Sequence, residues 1–112
     1  MTSTESLKVL SPKNSLNASN VSFFTKSLVE AIKTEQVDEI LIDLKDVELI
    51  DSSAVVTLVK ATRSAQSEGK GLGLCHVNSQ VRMILELTQL DRFVQMYKSE
   101  TEFRQQHQMM AA

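Results

Sequence analysis

ELIDSSAVV, residues 48–56, is apolar up to Ile50, turns polar at Asp51, Ser52 and Ser53, and becomes apolar again from Ala54. The reading of that polar trio decides the fold, because the hydrophobic period changes across it. Downstream, Val55, Leu58, Val59, Thr62 and Ala65 recur at three- and four-residue spacing. This predicts an amphipathic helix starting at Ser52 or Ser53, with these five residues turned inward. Gly69 stands where that helix should stop, as its C′ residue. Upstream, EILIDL (39–44) is too continuously apolar for a strand with one wet face, so it is predicted in the middle of a covered sheet. The ELID end is expected to be a strand end that feeds straight into the helix.

The same alternation extends in both directions. Leu7, Val9 and Leu10 suit a short first strand, and Pro12 with Asn14 favours a turn or irregular edge after it. Val21, Phe24, Leu28 and Ile32 then set a helical period, with Asn17 or Ser19 available as N-cap. LGLCHV (72–77) reads as another buried strand, and SQVRMILELTQL (79–90) as a helix through Val81, Ile84, Leu85 and Thr88. Phe93 to Tyr97 fits a last short strand and Ser99 to Gln106 a closing helix. Strands that alternate with helices imply mostly parallel pairing, since parallel strands need crossovers and these are almost always right-handed. The expected fold class is α/β, with a mostly parallel sheet of about four or five strands and about four helices.

Composition narrows the function classes. At 112 residues with 42% hydrophobic content the chain suits one domain, residues 1–112, with its core over about 6–103 and mobile termini. Lys and Arg total 12 against 14 Asp and Glu, and the net charge of -2 argues against nucleic acid as a partner. Residues 1–8 are polar and lack the apolar region of an export signal, and no stretch approaches the roughly 20 apolar residues of a membrane span. A soluble, cytoplasmic protein with no membrane partner is expected. Asn17-Ala18-Ser19 and Asn20-Val21-Ser22 match glycosylation sequons that such a protein would not use. Cys75, the single cysteine, excludes an internal disulfide and any multi-cysteine metal site, and is expected to be a buried strand residue.

Enzymatic chemistry finds little support. EGKGLG (68–73) has a Gly-x-Gly-x-Gly spacing, but it precedes a strand instead of joining strand to helix, so it lacks the geometry of a dinucleotide fingerprint. A serine hydrolase would need a Gly-x-Ser-x-Gly elbow or an equivalent base and orienter. His76 falls inside a predicted buried strand and His107 in the polar tail, so the expectation is a satisfied histidine and a solvated one. No catalytic residue, cofactor or metal site is expected. Phe23 and Phe24 suit core and helix packing, with an exposed Phe23 contacting a partner as the alternative. Met83 reads as adaptable packing and KSETEFRQ (98–105) as a wet helical face.

Asp51, Ser52 and Ser53 carry two readings. A helix amino terminus leaves about four N–H donors unpaired and bears roughly half a positive charge, so any of the three can cap it, for about 1 kcal/mol. The same donors and dipole favour a phosphoryl group, and a phosphoserine brings about -1.5 to -2 charges at neutral pH.

LIDLKDVELIDSSAVVTLVKATRSAQSEGKGLGLCHVNSQVRMILELTQLDRFVQMY (41–97) resembles the STAS family, specifically the bacterial anti-sigma factor antagonists. It has the family's order: a strand ending in Asp-Ser-Ser/Thr, a helix, a Gly-containing turn, a strand, and a Val-Arg/Lys-x-x-Leu helix. The resemblance extends over roughly residues 6–103. It implies a small α/β domain that is a substrate of enzymes and not itself an enzyme. By motif position it makes Ser52 the phosphoacceptor, with Asp51 shaping the loop, Ser53 as neighbouring cap and Ala54 completing the phosphosite. The implied partners are a serine kinase that is also an anti-sigma factor, and a PP2C-type phosphatase. Unphosphorylated, the surface of Asp51 to Val56 with the 14–20 loop, through Asn14, Ser15, Asn17, Val55 and Val56, would dock on the kinase and release its sigma factor or other target. Phosphorylated, it would not. Two positions depart from the family. Ala54, Val55 and Val56 replace its Gly-Leu-Gly, which should make the surface beside Ser52 stiffer and bulkier, and Asn17 replaces an Asp in the loop before the first helix. The alternative function is a constitutive STAS scaffold or ligand-sensing module without a phosphorylation cycle.

Overall fold

The structure is a computed structural model that describes residues 6–111, with side chains described for 6–106. The expectations of mobile termini and of a solvated His107 lie outside those side chains. Four strands, β1 (Leu7–Leu10), β2 (Glu39–Asp43), β3 (Gly71–Cys75) and β4 (Gln95–Tyr97), form one sheet in the order β1-β2-β3-β4. All pairs are parallel, with Val9 opposite Leu41, Ile42 opposite Leu74, and Leu74 opposite Met96. The helices are α1 (Val21–Lys33), α2 (Ser52–Ser67), α3 (Ser79–Leu87) and α4 (Glu100–Ala111), with a 3-10 turn at Leu90–Arg92. The expected α/β class and helix count are thus observed, with four strands.

Strand order dictates the layers. Each strand is added beside its predecessor, and right-handed crossovers taken repeatedly in one direction put every crossover helix on the same sheet face. Phe24 and Leu28 of α1, Leu58 of α2 and Val81 and Leu85 of α3 accordingly form one core with Ile40, Ile42 and Leu74. The strand's two-residue period sends Leu41 and Cys75 to the opposite face, where Phe103 of α4 covers them. Covered on both sides, Ile40, Leu41 and Ile42 are fully buried, as the EILIDL run predicted. The glycines of EGKGLG serve this packing. A Cβ on Gly73 would stand 2.9 Å from the Tyr97 ring, which meets Phe103 edge-on at 5.0 Å between centroids. Gly69 takes φ 73 just past α2, as a C′ glycine should.

Several boundaries differ from the sequence reading. β2 stops at Asp43, and 44–51 is a loop, not a strand end that runs into α2. Ile50 is buried there because it makes a single parallel bridge with Leu16, so its apolarity reflects a long-range contact instead of a strand. β3 ends at Cys75. His76 is exposed with φ 55, a left-handed conformation that costs a residue with a Cβ roughly 1–2 kcal/mol. α1 begins after Asn20, not Asn17 or Ser19, because residues 17–20 make their own turn. In it Val21 and Asn20 both donate to the Asn17 carbonyl, at 2.8 and 3.0 Å. In α2, Ala54 and Ala61 join Leu58, Thr62 and Ala65 in the core, while Val55 and Val59 are half-buried. Thr88 is an exposed C-cap and Met83 is exposed, so neither packs as expected. Phe24 enters the core while Phe23 is 79% exposed, so Phe23 does not pack in the core.

Candidate functional site

In a parallel α/β layer the loops at the carboxyl ends of the strands carry the working residues. A sheet wound in one direction only has no point where strand order reverses, so it lacks the crevice in which doubly wound folds hold nucleotides. What it offers is a surface, built here from three segments: 11–20, 44–51 and 76–80.

Hydrogen bonds hold the first two together. Asn14 N–H donates to the Asp46 carbonyl at 3.0 Å, Leu16 N–H to Leu49 at 3.0 Å, and Asp51 N–H back to Leu16 at 3.1 Å. Leu16 is buried beneath them. Asn78 ties in the third segment. Its Oδ1 accepts from Val81 N–H at 2.8 Å as N-cap of α3, while its Nδ2 donates to the Val47 carbonyl at 3.0 Å and the Glu48 carbonyl at 3.2 Å. The sequence reading missed Leu16 and Asn78. Their signals were slight: one apolar residue in the polar run NSLNASN, and an Asn three residues before a helical Val.

Asp51 is the pivot. As N-cap of α2 its Oδ1 accepts from Ala54 N–H at 3.1 Å, and its Oδ2 accepts from Ala18 N–H, also at 3.1 Å. One carboxylate therefore fixes both the start of α2 and the 14–20 loop. Asp51→Ala should cost about 2 kcal/mol in urea unfolding, a cap loss plus a second charge-assisted bond, and Asp51→Asn, with one carbonyl oxygen, should recover about half.

Ser52, the first residue of α2, is exposed, and its hydroxyl makes no hydrogen bond to a described residue. Ser53 follows it half-buried. The N–H groups of both fall in the first turn, where no intrahelical acceptor exists, and no acidic or basic side chain belongs to that turn. A phosphoryl group on Ser52 would thus meet the helix dipole and free amides without a cationic clamp, leaving most of its charge displayed outward. Ala54 is only 1% exposed, so its methyl enters the core and adds no bulk to the surface. That part of the sequence expectation is corrected. The bulk comes from Val56, which is half exposed and lines a groove of about 440 Å³ between α1 and α2 with Thr25, Val29, Thr57 and Lys60. Val55, half-buried, packs against the core.

Asn14 has φ 65 and is exposed; Ser15 accepts Asn20 Nδ2 on its carbonyl at 2.6 Å. Asn17 Oδ1 accepts from Ser19 N–H at 2.9 Å. All three thus lie on the strip that Asp51 holds beside α2. Elsewhere on this edge, burial and the neighbouring Asp43 carboxylate push the Cys75 thiol up to about 11. No helix among the described residues is long and apolar enough to cross a membrane.

Comparison with known proteins agrees with this fold. Residues 1–103 match the STAS domain family model. A Thermotoga neapolitana protein named "putative anti-sigma factor antagonist" is 33% identical over 98 residues, which are 88% of this chain and 87% of the relative. The crystal structure of a Thermotoga maritima protein of the same description superposes with a TM-score of 0.84 at 30% identity, over 91% of this chain and 87% of that one. The Bacillus cell fate determinant SpoIIAA in its phosphorylated form shares the fold at 16% identity, with a TM-score of 0.70 over 90% of this chain and 91% of its own. With a family-model match over residues 1–103 and a relative 33% identical across most of both chains, the chain belongs to the STAS domain family.

Proposed function

We propose that the protein is an anti-sigma factor antagonist that works as a phosphorylation-controlled binding switch, with Ser52 as phosphoacceptor. One observation carries this reading: Ser52 is the exposed first residue of α2, with a hydroxyl that no described residue engages and first-turn amides, its own and that of Ser53, beside it. A structural cap would accept a hydrogen bond from the helix, but Asp51 already does that. In the unphosphorylated state Ser52, Val56 and the strip Asn14 to Asn17 form the docking surface for an anti-sigma factor that is itself a serine kinase, and binding releases the sigma factor or other target. Transfer of a phosphoryl group to Ser52 Oγ places a dianion in the middle of that surface and ends the complex. A PP2C-type phosphatase resets it. The protein is a substrate and ligand in this cycle, not an enzyme, and acts in the cytoplasm.

The test is mass spectrometry on protein purified from its native cells, intact and as peptides, with and without phosphatase treatment. Phosphate localised to Ser52 and removed by the phosphatase is the expected result. No phosphate across growth and stress conditions would favour the alternative, a constitutive scaffold in which Asp51 and Ser52 serve the helix alone.

A further inference from the structure

Away from Ser52, the carboxyl ends of β2 and β3 bring together three side chains of metal-binding type. Asp43 and Cys75 are register partners on adjacent strands, both buried and both on the α4 face of the sheet. His76 comes next, and its left-handed backbone, disfavoured for a residue with a Cβ, turns the ring back across the strand ends. Nδ1 lies 2.9 Å from Asp43 Oδ1 and 3.8 Å from Cys75 Sγ. The thiol sulfur, the imidazole nitrogen and a carboxylate oxygen all fall within 4.8 Å of one another.

Asp43 and Cys75 approach the same ring nitrogen. A nucleophile relay needs the acid on one nitrogen and the thiol on the other, so this cluster does not form one. Three donor atoms of sulfur, nitrogen and oxygen type this close together are instead the makings of a coordination site, with the cation replacing the hydrogen-bond proton between Asp43 and His76. Around a tetrahedral Zn²⁺, donors stand roughly 3.3 to 3.6 Å apart, as bond lengths near 2.0 Å for N and O and 2.3 Å for S require. The observed separations need contraction of little more than about 1 Å at most, and a slight opening of the Asp43–His76 contact. The exposed His76 side chain has the freedom to open its contact with Asp43, and side-chain rotation of Asp43 and Cys75 would supply the contraction between carboxylate and sulfur.

We propose that Asp43, Cys75 and His76 bind one divalent cation of borderline softness, with Zn²⁺ the best match to a sulfur, nitrogen and oxygen donor set. Thiolate and imidazole disfavour Mg²⁺ and Ca²⁺, which take oxygen ligands. Binding forms a metal–sulfur bond and releases the thiol proton to solvent; the fourth position, on the exposed His76 side, takes water. The site also reaches toward the phosphosite loop. Asp43 Oδ1 accepts from Lys45 N–H at 3.0 Å and Leu44 N–H donates to the Cys75 carbonyl at 2.9 Å, so the cation would anchor the first residues of the 44–51 loop.

Cobalt titration of the reduced, metal-free full-length protein tests this. One equivalent of Co²⁺ should give thiolate-to-cobalt charge-transfer absorption and the visible bands of a tetrahedral ion, and Zn²⁺ should displace it. His76→Ala, an exposed change that leaves the fold intact by circular dichroism, should weaken Zn²⁺ binding at least tenfold, and Cys75→Ser should abolish the charge-transfer band. Absence of that band in the unaltered protein, or Zn²⁺ affinity unchanged in His76→Ala, would overturn the assignment.

Discussion

If Ser52 is the phosphoacceptor proposed above, its phosphorylation is expected to weaken binding to the proposed kinase a few hundred fold, a loss of about 3 to 4 kcal/mol. The interface, not the fold, supplies the loss. Within the domain the new charge meets the favourable end of α2, where an anion is worth roughly 0.3 to 1 kcal/mol of stabilisation. The phosphoprotein should therefore unfold at the same urea concentration as the unmodified form, or slightly above it. The first turn of α2, Ser52 to Val55, holds no Lys or Arg, so that turn itself supplies no cation to the phosphate. Ser52→Asp, with one charge in place of nearly two, should reproduce part of the loss, and Ser52→Ala should bind like the unmodified protein. Isothermal titration against the purified kinase reads all three. Equal affinity for Ser52→Asp and Ser52→Ala would remove the switch.

Leu58→Ala is expected to destabilise the domain by about 3 to 4 kcal/mol. Leu58 is fully buried in the core that joins α1, α2 and β2, and a leucine truncated in such a place leaves a cavity that its neighbours only partly fill. Domains of this size have about 5 to 15 kcal/mol to lose, so the variant should sit close to the margin. Urea unfolding should show a lower midpoint with an unchanged slope, and kinase binding at low temperature should persist because Ser52 remains in place. Val59→Ala on the half-buried flank of the same helix should cost about 1 kcal/mol.

The contrast between Leu58 and Val59 also shows what one sequence discloses. Three-and-four spacing located the inward face of α2 from Leu58, Thr62 and Ala65, and the continuous run of Ile40, Leu41 and Ile42 located the covered strand, because both signals are local. Ile50 misled for the opposite reason. Its burial comes from Leu16, far away in the chain, and no local pattern distinguishes that from a strand residue. His76 misled similarly, since alternation along LGLCHV continues past the point where the backbone turns left-handed. The start of α2 at Ser52 was legible from the change of hydrophobic period. That Asp51 holds the 14–20 loop by Ala18 N–H, and that Ala54 faces the core, emerged only when three separate segments were seen side by side.

The strand order has a consequence for how the chain assembles. In the order β1-β2-β3-β4 every strand pairs with the one made just before it, and none has to insert between two already paired. Each new strand needs to close only a single crossover, and closure entropy grows slowly with loop length. The sheet can then lengthen from one edge in the order in which the ribosome delivers it, with α1 available to cover β1 and β2 before β4 exists. Each pairing still spans a whole crossover, 32 residues from Leu7 to Glu39, and α4, which seals the second face over Leu41 and Cys75, is the last element of the fold to arrive.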